Sequence, residues 1–157
     1  MAETTTSMTA AEQSINTFFV EVFHDILRLE SDSLRQSGCS NLPVSELHML
    51  DAIKKGADGM GKLAKALSLS PGSVTTAAKT LESKGYLLRQ RSQIDKRRVT
   101  VQLTERAEEA LRHHAEFHRQ LIQSVSTHLD DARMDALGTV LNYLHTFFKT
   151  YPTGGTV

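Results

Sequence analysis

The feature that most constrains this chain is a change of hydrophobic period between Ser70 and Leu103. Ser70 reads as an N-cap and Pro71 as the first helical residue, and the helix they open runs to about Lys84, where Gly85 closes it. Val74, Ala77, Ala78 and Leu81 give that helix one small apolar face. The period then drops to two. Tyr86 to Arg91 and Val99 to Leu103 read as short strands, with Val99, Val101 and Leu103 alternating with Thr100 and Gln102. Between them lies the charged turn Ser92-Gln93-Ile94-Asp95-Lys96-Arg97-Arg98.

Helical patterns flank this span. One helix opens near Thr9, carries Ile15, Phe18, Phe19, Val22, Phe23, Ile26 and Leu27 on an amphipathic stripe, and continues through Leu34 to Gly38. About 30 residues is long for a small domain, and such a helix is expected to pack beyond its own core, against a partner chain. A second helix runs from Pro43 to about Gly56 with Leu47, Leu50 and Ile53 on its inner line and Met49 nearby. A short third, Met60 to Leu67, is expected to bury Leu63, Ala64 and Leu67. Thr104 caps a long helix bearing Leu111, Phe117, Leu121, Ile122 and Val125, and a last helix follows Asp130 with Leu137, Val140, Leu141, Leu144, Phe147 and Phe148. The expected fold is mainly α with a small β-hairpin wing. It forms a single domain over residues 1–157, with a winged helix-turn-helix lobe at 43–103 and dimerisation helices at 9–38 and 104–150.

Composition narrows the function. The chain has 157 residues, 39% hydrophobic and 23% charged, which excludes wholesale disorder. Lys+Arg and Asp+Glu are both 18, so a uniformly basic coat is excluded but a local patch is not. Residues 1–32 hold six acids against Arg28 alone, whereas residues 60–98 hold nine bases against Glu82 and Asp95. The middle of the chain is therefore a candidate anion-binding face. A single cysteine, Cys39, excludes an internal disulfide framework and a multi-Cys zinc module. It is expected to be a free, unreactive thiol. No apolar run approaches the ~18 residues of a membrane helix, and the Thr/Ser-rich start has no signal-peptide pattern, so a cytoplasmic protein without membrane contact is expected.

Short helix, turn, capped helix and two strands joined by a basic loop follow the order of a winged helix-turn-helix. The exposed side of the capped helix offers Ser73, Thr75, Thr76, Lys79 and Thr80. Small hydroxyls let the backbone approach base edges, and threonine methyls can meet the thymine methyl. The free N–H groups after Ser70 suit a phosphate. The hairpin adds Arg89, Arg91, Lys96, Arg97 and Arg98, with Asp95 holding the turn and orienting an arginine. An arginine at a loop tip can enter a minor groove, where negative potential is focused. No phosphate-cradling glycine loop, nucleophile elbow or carboxylate pair stands out, so no enzyme is expected. A protein-binding winged helix is the other class, and steep salt dependence of DNA binding separates the two.

Ser70 to Thr76, Leu81 to Leu87, Arg91 to Arg97 and Leu103-Thr104-Glu105 together resemble the MarR family of transcription regulators. Asp95-Lys96-Arg97 and Leu103-Thr104 carry most of the resemblance, and Ala107 stands where the family usually has glycine. The resemblance implies a homodimeric repressor whose two recognition helices, about one helical turn apart, bind a pseudo-palindromic duplex. Phe23 to Glu30, Ser45 to Leu50 and Arg112 to His118 further resemble the FabT-like branch, which represses fatty-acid-synthesis genes. For that branch the implied corepressor is a long-chain acyl group on acyl carrier protein. Its expected lining is Phe23, Ile26, Leu27, Met49 and Phe117, with His48, His114 and His118 at the polar mouth.

The histidines also allow other readings. His114 and His118 share one helical face at i, i+4, a spacing that can chelate zinc, with His48 as third ligand and Cys39 or Glu30 as fourth. The same positions resemble the zinc-responsive branch of the family. Alternatively the histidines brace the junction of lobe and long helices by bonding Glu46 and Glu116. No cofactor is expected, with zinc and a bound acyl chain as the alternatives.

Overall fold

The computed structural model describes residues 7–91 and 99–151. The wing-tip candidates Asp95, Lys96, Arg97 and Arg98 lie outside the described residues, as does the side chain of Arg91. The chain divides into two compact units, Met1–Phe117 and His118–Val157.

The first unit opens with three continuous helical segments, α1 (Ala10–Thr17), a π-helical turn (Phe18–Val22) and α2 (Phe23–Gln36). Thr9 starts them with a capping box. Its hydroxyl accepts from the Glu12 amide, and its own amide donates to the Glu12 carboxylate at 2.7 Å. The Thr9 amide, joined by the Thr9 hydroxyl at 2.9 Å, donates to the Glu12 carboxylate and holds it below its ordinary pKa. The amphipathic stripe predicts one regular helix here, and the π turn is the departure. It closes i to i+5, so residues after it are rotated about the axis relative to a regular helix. Phe18, Phe19, Val20, Val22 and Phe23 all remain exposed. Gly38, at φ +80°, ends α2, and the Cys39 amide turns back to the Leu34 carbonyl at 3.0 Å.

Next come α3 (Val44–Lys54), α4 (Met60–Leu67), α5 (Pro71–Ser83), β1 (Leu87–Arg91) and β2 (Val99–Leu103), and then α6 (Glu105–Ser126) begins. Leu47, Met49, Leu50 and Ile53 of α3, Leu63 of α4, Val74, Ala78 and Leu81 of α5, Leu87 and Val101 of the hairpin, and Ala107, Ala110 and Leu111 of α6 form one core with Leu34 and Leu42. Ala64, Leu67 and Ala77 are only partly buried against it, less than their spacing suggests. The antiparallel hairpin pairs Leu87 with Leu103, Arg89 with Val101 and Arg91 with Val99. Strand β2 is tied to the start of α4 by a bridge between Gly59 and Thr100 and by the Val101 amide on the Asp58 carbonyl at 2.9 Å. The wing is thus anchored to the helix-turn-helix by backbone bonds.

The second unit holds the rest of α6 and α7 (Asp131–Thr150), capped by Asp130, whose side chain accepts from the Arg133 amide at 2.9 Å. Within it Leu121, Ile122, Val125, Met134, Leu137 and Leu141 line an apolar cleft of about 330 Å³. No described helix is long and apolar enough to cross a membrane.

Candidate nucleic-acid interface

The helix α5 is built from both ends by short polar side chains. At its start the Ser70 hydroxyl accepts from the Ser73 amide at 3.1 Å and lies 2.8 Å from the Ser73 hydroxyl. Pro71 occupies the first turn, where its missing N–H costs no helix bond. The Thr75 hydroxyl donates to the Pro71 carbonyl and the Thr80 hydroxyl to the Thr76 carbonyl. These two hydroxyls serve the helix itself, and both residues are half-buried. Ser70, Ser73, Thr76 and Lys79 are exposed, opposite the buried line of Val74, Ala78 and Leu81. The structure therefore presents serines, a threonine and a lysine on the open side of a helix whose apolar side is fixed in the core.

Arg89 differs from its neighbours in the basic run. Its side chain is only 18% exposed and donates to the Glu82 carboxylate at 3.2 Å, linking β1 to the end of α5. Its Nε is buried with no hydrogen-bond partner among the described residues. Arg91 is the last residue of β1, opposite Val99.

A second polar cluster lies within the first unit, away from α5. Glu30, 3% exposed, is the buried charged residue of the described core. The His114 imidazole is hydrogen-bonded to its carboxylate, and His48 Nε2 lies 3.5 Å from the same oxygen. The two rings are 6.0 Å apart. A buried carboxylate requires such partners, since an isolated buried charge is costly. The expected brace to Glu46 is corrected. Glu46 takes the Lys84 ammonium at 2.7 Å, between α3 and the residue that follows α5, while Glu30 partners both His114 and His48. His118, four residues past His114, belongs to the second unit. Of the expected apolar lining, Met49 is buried, Ile26, Leu27 and Phe117 are half-buried, and Phe23 is exposed. Cys39 is a buried free thiol beside the Tyr86 hydroxyl.

The sequence reading missed one group. Arg106 stacks over the Tyr86 ring at 4.6 Å and bonds the Lys84 carbonyl and the Asn41 side chain. No spacing signal identifies it, because its partners lie 20 to 65 residues away in the chain.

A model of the MarR family matches residues 42–99. FabT of Streptococcus pneumoniae, solved in complex with DNA, is 30% identical with a TM-score of 0.81, covering 87% of this chain and 96% of that one. Sco3205 of Streptomyces coelicolor, a MarR family transcriptional regulator also solved with DNA, is 21% identical with a TM-score of 0.70, covering 96% of each chain. RV1404 of Mycobacterium tuberculosis is 15% identical with a TM-score of 0.69, covering 95% of this chain and 100% of that one. At these last two identities the likeness is one of fold. No curated protein matches the sequence.

Proposed function

Because the chain belongs to the MarR family of DNA-binding transcriptional regulators, we propose that it is a homodimeric repressor of fatty-acid-synthesis genes, with a long-chain acyl group on acyl carrier protein as corepressor. Members of this family act by binding DNA rather than by catalysis. The observation that carries the finer reading is the 30% identity to FabT over 87% of this chain, extending well past the helix-turn-helix.

In this reading Ser70, Ser73, Thr76 and Lys79 face the major groove, with Lys79 on phosphate and Thr76 on a base edge, while Thr75 and Thr80, whose hydroxyls are taken by the helix, flank that surface. Arg91, Lys96, Arg97 and Arg98 track the backbone and minor groove, Asp95 orients the turn, and Arg89 supports strand β1 through Glu82. Two copies pair through the exposed apolar residues of the terminal helices, Phe18, Phe19 and Val22 at one end and Phe147 and Phe148 at the other. Exposed patches of this kind support an interface between chains. Pairing spaces the two recognition helices for a pseudo-palindrome, and an acyl group bound among Phe23, Ile26, Leu27, Met49 and Phe117 shifts the DNA-competent population.

Native mass spectrometry of the purified protein reads dimer mass and copurified acyl chain together. Acyl burial contributes ~0.8 kcal/mol per methylene, so a sixteen-carbon acyl carrier protein should strengthen DNA binding far more than an eight-carbon one. Affinity for duplex should also fall steeply with salt. Equal effects of the two acyl lengths would overturn the corepressor.

One observation favours a second reading, a metal-responsive repressor. Buried Glu30 lies beside His114 and His48, a nitrogen and oxygen donor set of the type that zinc takes. DNA binding that responds to micromolar zinc and not to acyl carrier protein would favour it.

A further inference from the structure

We propose that Arg106 is a positioning residue for DNA recognition, a clamp that sets the rotation of recognition helix α5 relative to α6. The inference rests on the dimeric DNA-binding reading above.

Arg106 is the second residue of α6, and its guanidinium reaches two segments, the connection from α5 to β1 and the loop between α2 and α3. One nitrogen donates to the Lys84 carbonyl just past the end of α5 at 3.0 Å, and another to the Asn41 side-chain oxygen, between α2 and α3, at 3.4 Å. Its carbon sits 4.6 Å from the centroid of the Tyr86 ring. Tyr86 is fully buried, and its hydroxyl donates to the same Asn41 oxygen at 2.9 Å. Thr104, immediately before α6, adds two parallel bonds. Its hydroxyl donates to the Gly85 carbonyl at 2.8 Å and its amide to the Tyr86 carbonyl at 3.1 Å.

The carbonyls at the end of a helix lack intrahelical partners. Here two consecutive carbonyls following α5 are taken by side chains from the entry of α6. A cation at a helix C-terminus is also favoured by the dipole. Apolar packing in the core that α5 and α6 share sets how close the elements lie but tolerates rotation, because it has no direction. Hydrogen bonds and a stacked planar guanidinium are directional. The clamp therefore supplies what the core does not, the angle at which Ser73, Thr76 and Lys79 are offered relative to the helix that leads into the dimer arm. A geometric role of this kind predicts a change in half-site spacing preference, not in the number of phosphates contacted.

The test starts from a duplex selected by the wild-type protein out of a random pool, with versions carrying one base pair inserted or deleted between half-sites. Wild type should discriminate against both by about tenfold or more, since spacing is set by the dimer. Arg106→Ala should reduce that discrimination several-fold, while melting temperature, dimer mass and salt slope stay near wild type. Arg106→Lys keeps the charge but loses the fork and should resemble alanine. Asn41→Ala, outside α6, should shift discrimination in the same direction and serves if Arg106→Ala does not fold. Unchanged discrimination in these variants overturns the clamp. So does a salt slope lowered by about one, which would place Arg106 on a phosphate. A wild-type protein that enriches no duplex overturns the DNA-binding reading itself, and the clamp with it.

Discussion

Helices α3 and α7 carry similar densities of apolar residues and use them differently. In α3, Leu47, Met49, Leu50 and Ile53 are buried within eleven residues. In α7, twenty residues long, no residue is buried, and Val140, Leu141, Phe147 and Phe148 are 44 to 54% exposed. The lobe around α3 completes its core with its own helices and hairpin. The apolar face of α7, like that of the π turn, is not covered within its own unit. A self-sufficient core makes the stability of the lobe independent of concentration, whereas a face awaiting a partner couples stability to association.

The largest expected effect tests the lobe. Leu50→Ala removes a side chain with no exposed surface and should cost about 2–5 kcal/mol, equally at low and high protein concentration in urea denaturation. The matching change in the arm is Phe147→Asp. In the proposed dimer it should leave the lobe folded but raise the dissociation constant by about tenfold or more, read by sedimentation equilibrium. A Leu50→Ala loss that depends on concentration, or a Phe147→Asp variant that stays fully dimeric, would erase the distinction.

A smaller effect separates the lobe's surface from its core. Arg97→Ala should weaken duplex binding by about 1–3 kcal/mol in anisotropy titrations and leave the melting temperature unchanged. Equal affinity for both proteins would remove Arg97 from the interface.

The smallest effect concerns Tyr86. Burial raises its hydroxyl pKa, the neighbouring Cys39 thiol raises it further, and Arg106 opposes both. A group whose folded pKa is raised stabilises the fold fully below its unfolded value, about 10 for tyrosine. That contribution is lost as pH rises through the folded pKa. The denaturation midpoint should therefore hold up to about pH 10 and fall above it. Tyr86→Phe should cost about 1 kcal/mol at neutral pH, for the bond to Asn41, and should lessen the alkaline fall. An unaltered alkaline profile would mean that another group governs it.

Much of the fold was legible because its signals are local. Thr9, Ser70 and Asp130 act as caps where the sequence places them. Met60–Leu67 and Val99–Leu103 have the expected bounds, since capping and periodicity act within a few residues. The π turn at Phe18–Val22 was not legible, because the stripe across it satisfies a regular helix equally well. Among the DNA-facing candidates, α5 could be read from its two-sided pattern, but the burial of Arg89 against Glu82 could not. In a charge run every arginine looks alike, and only the fold decides which one lies against a carboxylate.

By itself, the sequence determined the order of helices and strands, the apolar faces and the position of the β-hairpin. These depend on caps, turns and periods that a short window contains. Tertiary structure decided the pairings across long separations. Glu30 meets His114 across 84 residues, Glu46 meets Lys84 across 38, and Arg106 reaches Asn41 across 65. Polar partners of this kind are chosen by which buried groups come within bonding distance once the apolar faces have packed. Spacing along the chain does not encode that choice.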